Sequence, residues 1–382
     1  MKKLSVILAV LLFVGMLPTN VSAATNLQVK AKSALLMDVE TGTVLYAQNA
    51  HEALHPASVT KIMTMLLIME AIDSGRIGWN DMVTASEAAA AKGGSQVYLK
   101  VGEQMSVSDM LKSIAVSSAN DCACAMAEHL YGSESAFVDK MNARAAELGM
   151  KDTHFVNCTG LDDAQEAESH KTSAHDIALM SRELMKNHPD IKKFTTIWMD
   201  TVRGGAFGLS NTNKMVRFYN GCTGLKTGFT AKAGYCLSST AERDGMELIA
   251  VVMGAESSQD RFAGCKQLLD YGFSNYALIR PEVPNCLVPV RLGRDNEVRA
   301  IPTQEGALLI DKSQKNMVST QIELMEIADA PVGKGQRLGT LTLKAGEQVL
   351  SQIPLVAEKG VERLTWGEIF WTILQNIAFK IG

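Results

Sequence analysis

Ile62-Met63-Thr64-Met65-Leu66-Leu67-Ile68-Met69 is apolar on nearly every face of a helix, a pattern that no helix at a protein surface sustains. The stretch belongs inside, with the rest of the fold built round it. Pro56 stands where a first helical turn tolerates it, Ser74-Gly75 supplies a stop, and the spacing predicts one helix over residues 56 to 73. In its first turn Ser58 and Lys61 are three residues apart, so both side chains leave the same face and come within hydrogen-bond reach. Burial disfavours an ammonium, so Lys61 can act as a neutral base that takes the Ser58 proton while the hydroxyl attacks a carbonyl. Ser-x-x-Lys alone is a weak signal: it arises by chance about once in a chain of this length, and a serine before a helix is commonly a cap.

The amino terminus is of another kind. Lys2-Lys3, an apolar run from Leu4 to Leu17, Pro18 and the small-residue site Val21-Ser22-Ala23 read as a secretory signal peptide over residues 1–23, with a retained membrane anchor as the alternative. Without Lys2 and Lys3, 35 basic residues face 41 acidic ones, a net charge of −6, and nothing favours nucleic acid. The remaining length suits about two domains of ordinary globular composition. Seven cysteines, odd in number and scattered, do not make a disulfide scaffold, and most are expected to be buried thiols, although one or two bridges stay open. The seven histidines form no ligand constellation; His170 and His175 lie five apart in a polar segment, so neither a metal nor a cofactor is expected.

Ser33–Val39 and Thr43–Ala47 flank Glu40-Thr41-Gly42 as strand, turn and strand. From Asp81 to about Gly149 the chain is helical in character, with runs at 87–91, 107–116, 121–131 and 135–148, which implies a helical subdomain. After a polar stretch from Met150 to Ser173 and a helix at 174–186, the pattern becomes β. Lys226–Thr230, Gly234–Thr240 and Glu247–Met253 read as strands, with a hairpin turn at Arg243-Asp244-Gly245 and a helix over 261–271. Two prolines in Arg280-Pro281-Glu282-Val283-Pro284 mark a domain boundary. Beyond it, short apolar runs alternate with turns such as Leu292-Gly293-Arg294-Asp295-Asn296, so residues 281–358 are expected to form a small all-β domain. In the tail at 359–382, Trp366, Ile369, Phe370, Ile373, Leu374 and Ile377 form an apolar stripe with Trp371 at its edge. Glu368, Gln375 and Asn376 interrupt it, which suits a helix lying on a membrane surface rather than crossing it; packing back on the β domain is the alternative.

Ser58-Val59-Thr60-Lys61 gains meaning from two further triads that each occur once, Ser118-Ala119-Asn120 before a helix and Lys226-Thr227-Gly228 opening a strand. Serine acyl transfer needs a nucleophile with its base, a polar pair that positions substrate and relays a proton, and a cationic site for an anionic end group. Each triad meets one need. Asn120 can hold a substrate amide while Ser118 passes a proton to the leaving group, Lys226 and Thr227 can bind a carboxylate, and Gly228 lets substrate backbone lie close to the strand. Taken singly, Ser118 reads equally well as a helix cap and Lys226 as a solvated strand residue.

In this order and at these separations the three triads resemble those of the penicillin-binding proteins, specifically the low-molecular-weight serine D-alanyl-D-alanine carboxypeptidases. Asn157-Cys158-Thr159-Gly160-Leu161, Thr172-Ser173-Ala174-His175-Asp176, Ala233-Gly234-Tyr235 and the amphipathic tail match that family's layout, so the resemblance covers nearly the whole chain. It implies an α/β (α+β) catalytic domain at 24–280 with a helical subdomain, the β domain at 281–358 and a membrane-surface anchor at 359–382. It further implies that Ser58 is acylated by the penultimate D-alanine of a peptidoglycan stem peptide, with Lys61 as base and Ser118, Asn120 and Lys226 assisting, and that β-lactam antibiotics acylate the same hydroxyl. The backbone N–H groups of Ser58 and Phe229 would form the oxyanion hole. Arg261 matches a position near the terminal carboxylate, although as a lone arginine opening a helix it reads equally as a surface residue. Asp176 matches a loop acid of structural role, and Ala119 stands where many relatives have glycine. The implied location is the outer face of a bacterial cell membrane. Rival readings on the same fold are a D,D-endopeptidase or a β-lactamase, for which Glu166 and Glu168 lie in the corresponding loop without the expected Glu-x-x-Leu-Asn setting. A non-catalytic cell-wall-binding protein is the rival outside enzymes.

Overall fold

The computed structural model describes residues 27–162, 165–303 and 307–371. The expected signal peptide and the tail beyond Trp371 lie outside them. A hairpin comes first, β1 (Ser33–Asp38) and β2 (Val44–Gln48), closed where the Asp38 carboxylate accepts the Thr41 N–H and hydroxyl, both at 2.7 Å. Far along the chain β3 (Cys222–Thr230), β4 (Gly234–Arg243) and β5 (Met246–Ala255) complete an antiparallel sheet in the order β2-β1-β5-β4-β3. Burial on both faces explains the unbroken apolar run in β5, where alternation would mark a half-exposed strand.

Helix α1 (Lys61–Asp73) lies on one face of the sheet with α5 (Ala174–Asn187), and α2 (Val107–Ser117), α3 (Asn120–Tyr131) and α4 (Glu134–Glu147) enclose its far side. The predicted burial of α1 holds: from Lys61 to Met69 every residue is buried in one continuous core. The opposite face of the sheet is covered by α6 (Ser258–Asn275), whose Cys265, Leu268 and Leu269 meet Leu36, Leu248 and Val252. Serine hydroxyls set several of these starts: Ser106, Ser133, Ser173 and Ser257 each accept the N–H three residues on. The Ser257 cap explains why α6 begins at 258 and not at the expected 261.

Two local expectations change. Residues 56 to 73 do not form one helix: Ala57–Thr60 is a 3-10 turn, with Ala57 left-handed at φ +48°, and α1 proper starts at Lys61. Contacts from distant segments hold that turn, as described below. Strand β3 begins at Cys222, so Lys226 sits in its middle and does not open it.

The second domain is all β. After β6 (Tyr276–Ile279), the strands are β7 (Cys286–Arg291), β8 (Glu297–Pro302), β9 (Leu308–Asp311), β10 (Val318–Leu324), β11 (Ala328–Asp329), β12 (Arg337–Ala345) and β13 (Gln348–Ala357). Six of them form a sheet in the order β10-β12-β13-β8-β7-β11 over a core that includes Val288, Leu341, Leu343 and Leu355. Strands β6 and β9 pair across the proline-marked boundary, and Val361 and Arg363 still bridge to Val332 and Gly293. Residues 366–371 are helical, opened by a capping box in which Thr365 and Glu368 exchange hydrogen bonds. Trp366, Phe370 and Trp371 are 87%, 61% and 65% exposed while Ile369 is half-buried, so these three rings do not pack on the β domain. No helix among the described residues is long and apolar enough to cross a membrane.

Candidate active site

The three triads meet where α1, the α2–α3 corner and β3 converge. Ser58 is half-buried on its 3-10 turn, and the Lys61 Nζ lies 3.0 Å from its Oγ and 2.7 Å from the Thr159 carbonyl oxygen. Lys61 is wholly buried; that burial pulls its ammonium down to about 7, against a smaller opposing pull from Cys158 and Asp121. A neutral amine there has a lone pair for the Ser58 proton while one of its N–H groups still donates to Thr159.

The Thr159 carbonyl is aimed by the loop around it. Asn157 Oδ1 accepts from the Thr159 N–H, the Thr159 hydroxyl and the Gly160 N–H, at 3.1, 3.1 and 2.6 Å, and the Thr64 hydroxyl donates to the Cys158 carbonyl at 2.6 Å. Gly160 has φ +81°, and a Cβ there would stand 1.9 Å from the Ala57 carbonyl oxygen, so only glycine lets this loop press on the turn that carries Ser58. His170 braces the same turn. The Val156 N–H donates to its Nδ1, so Nε2 carries the proton and donates to Thr60 Oγ1 at 2.8 Å, and Thr60 in turn donates to the Ala57 carbonyl at 2.8 Å. Burial, with neighbouring cationic groups, depresses the His170 imidazolium to about 3, which keeps this tautomer neutral. In the sequence His170 stands five residues from His175 in a polar segment and carries no sign of this role.

Ser118 is left-handed at φ +63° and ends α2, while the residue before α3 is Ala119; the Ser118 hydroxyl is therefore not the cap of α3. Asn120, 2% exposed, donates through Nδ2 to the Gly93 carbonyl at 2.7 Å, and its Oδ1 is buried with no hydrogen-bond partner. A buried orphan acceptor is what a substrate N–H satisfies. Asp121, unremarked in the sequence, ties the 93–99 loop by accepting the Val97 and Leu99 N–H groups.

Lys226 is buried, not solvated, and its Nζ donates to the Thr227 carbonyl at 2.9 Å. Burial, with the cations Lys61 and Arg261 adding to it, pushes its ammonium far down. Thr227 shares a 2.6 Å hydrogen bond with Thr212. At Gly228 a Cβ would lie 2.7 Å from the Pro56 carbonyl oxygen and 3.0 Å from the Ser58 nitrogen, so glycine here brings β3 against the turn that carries Ser58. The Phe229 ring is exposed and stacks on Tyr235 at 4.3 Å. Because β3 is an edge strand, one side of its backbone is open to a peptide.

Arg261 is not a surface residue. Its guanidinium donates to the Gly228 carbonyl at 3.0 Å and lies over the Tyr235 and Phe262 rings, and its Nε is buried without a partner. Asp176 sits in the first turn of α5, not in a loop, and accepts the Asp152 N–H and the Thr153 hydroxyl, both at 2.8 Å. Glu168 is exposed and paired with Lys232. All seven cysteines are free thiols, six of them buried. Among the described residues one group of side chains stands close enough to share a cation, Glu70, Glu183 and His188, and Arg144 already engages both carboxylates at 2.7 and 2.6 Å.

Residues 19–257 match the family model described as D-alanyl-D-alanine carboxypeptidase, and residues 284–363 match that of the penicillin-binding protein 5 C-terminal domain. The D-alanyl-D-alanine carboxypeptidase DacF of Bacillus subtilis is 44% identical over 341 residues, which is 87% of this chain and 86% of the relative. The crystal structure of penicillin binding protein 5 from Haemophilus influenzae superposes with a TM-score of 0.75 at 30% identity, over 89% of this chain and 99% of that one. Penicillin-binding protein D2 of Listeria monocytogenes, solved in an ampicillin-bound form, superposes with a TM-score of 0.60 at 34% identity, over 65% of this chain and 100% of that one.

Proposed function

The chain belongs to the D-alanyl-D-alanine carboxypeptidase family, and from that premise we propose that its serine peptidase chemistry runs through Ser58 as nucleophile and Lys61 as general base. The supporting observation is a wholly buried amine 3.0 Å from the Ser58 hydroxyl and held near neutrality by that burial. As Oγ attacks the penultimate D-alanine carbonyl, its proton passes to the Lys61 lone pair, and the oxyanion is taken by the Ser58 and Phe229 N–H groups. Ser118 relays a proton to the departing D-alanine nitrogen, the acyl-enzyme remains on Ser58, and water then cleaves the ester. The orphan Oδ1 of Asn120 accepts a substrate N–H. Lys226 and Thr227 receive the terminal carboxylate, whose charge favours the ammonium form that burial disfavours at Lys226. Arg261 supports that end of the site by holding the Gly228 carbonyl.

We assign the substrate as peptidoglycan stem peptide, and β-lactams as covalent inhibitors of the same hydroxyl. A diacyl-Lys-D-Ala-D-Ala peptide is expected to release D-alanine, while penicillin forms a long-lived adduct with little turnover. Rapid penicillin hydrolysis without D-alanine release would make the protein a β-lactamase, and inertness to both would leave a wall-binding role.

The division proposed is a signal peptide at 1–23, a catalytic domain at 24–280, a β domain at 281–358 and an interfacial anchor at 359–382. Exposed Trp366, Phe370 and Trp371 support the anchor, which would hold the enzyme on the outer membrane surface with the β domain as spacer. Deleting residues 360–382 should release active enzyme from washed membranes with its peptide kinetics unchanged; truncated protein that stays on the membrane would refute the anchor. Val361 and Arg363 bridge to the β domain, so a second truncation after residue 364 separates loss of the anchor from loss of those contacts.

A further inference from the structure

The base and the amide-binding group hang from two different loops. The acceptor that holds Lys61 is the Thr159 carbonyl, in the 157–161 loop, and the acceptor that holds Asn120 is the Gly93 carbonyl, in the 92–95 segment. Residues Lys92 and Cys158 stand immediately before those two acceptors, and one carboxylate joins them. Glu134, in the first turn of α4, accepts the Lys92 ammonium through Oε2 at 2.5 Å. Its Oε1 accepts both the backbone N–H and the thiol of Cys158, each at 3.2 Å. The side chains of the pair are only 25% and 22% exposed, and the amino-terminal end of α4 favours the negative charge.

We propose that Glu134 is a positioning residue for the reaction, a clasp that sets the Thr159 and Gly93 carbonyls, and so Lys61 and Asn120, at one separation across the cleft. The inference rests on the assignment of Ser58 and Lys61 above. Glu134 touches no reacting atom and acts through the loops. A displacement of the reacting groups by as little as an ångström lowers rates by about a hundredfold, so a partly loosened clasp should cost on the order of tenfold. Loosening the 157–161 loop also admits water to Lys61, which raises the pH at which its amine becomes neutral; the titratable and charged groups that face it, Cys158, Asp121, Lys226 and His170, are unchanged in the variants.

The test is Glu134→Gln, which keeps the side-chain shape but gives up the charge that holds Lys92 and replaces a charge-assisted acceptor for the Cys158 N–H with a weaker, neutral one. Acylation by penicillin and D-alanine release from the peptide are measured per folded molecule across pH 5 to 10, with the folded fraction taken from circular dichroism. The expected result is a loss of about tenfold in the acylation rate, with the rising limb of its pH profile displaced upward. Lys92→Met reaches the clasp from its other side, through Gly93 and Asn120, and should show the loss in rate with the limb in place, and the double variant should be no slower than the slower single one. Wild-type rates with an unmoved limb in folded Glu134→Gln would overturn the proposal. Should that variant fail to fold, a wild-type rate in folded Lys92→Met would overturn it equally. A wild-type protein that releases no D-alanine would refute the assignment of function instead, so the two failures are distinct.

Discussion

Ser58→Ala is expected to abolish D-alanine release and covalent penicillin labelling together, a loss of roughly 10⁴-fold or more. The other hydroxyls on the turn and on α1 cannot take over. Thr60 is one residue from Lys61, yet its Oγ1 is committed to the Ala57 carbonyl and His170 inside the core. Thr64 donates to the Cys158 carbonyl one turn further along α1. Ser58 alone combines partial exposure with the 3.0 Å contact to Lys61 on a turn that Gly228 and Gly160 press into place. The fold should survive, because the change removes one hydroxyl from a half-buried position, and melting temperature serves as the control. Mass spectrometry of wild-type protein treated with penicillin should place one acyl group on Ser58; an adduct on any other residue would remove Ser58 from the mechanism.

Lys61→Arg should slow acylation by about 10³-fold, within the range by which a positioned general base accelerates proton transfer. Arginine keeps the positive charge but offers no neutral form at working pH. In the wild type only the neutral amine can accept the Ser58 proton, so with Lys61 at about 7 the acylation rate should rise with pH through neutrality and level off above it. At pH 5 it should be about a hundredfold below the plateau, since one lysine in about a hundred is then neutral. The same depression gives a sign for stability. Between about 7 and the unfolded value of 10.5 the unfolded chain binds the extra proton, so stability from this group is complete above 10.5 and falls as pH drops towards 7. A flat acylation profile from pH 5 to 9, or near wild-type acylation by folded Lys61→Arg, would exclude Lys61 as the base.

Local chemistry along the chain determined much of this protein. The apolar run from Ile62 to Met69 forced a buried helix, alternation and turn residues placed the hairpins at Glu40-Thr41-Gly42 and Arg243-Asp244-Gly245, and the two prolines near 281 marked the change to an all-β domain. These patterns depend on neighbours within a few residues, which a linear text displays. Ser58 with Lys61, Ser118 with Asn120, and Lys226-Thr227-Gly228 were legible for the same reason, each being a short spacing with its own chemistry. What only the tertiary structure decided depends on groups far apart in the chain: the Thr159 carbonyl 98 residues from Lys61, His170 at 110 residues from Thr60, and the Gly228 carbonyl 33 residues from Arg261. Those contacts set the left-handed Ala57, the neutral His170 tautomer and the burial of Lys226 and Arg261, which the sequence left open as surface cations. Burial belongs to the assembled core rather than to any residue type, and with it comes the desolvation that brings the Lys61 ammonium down to about 7.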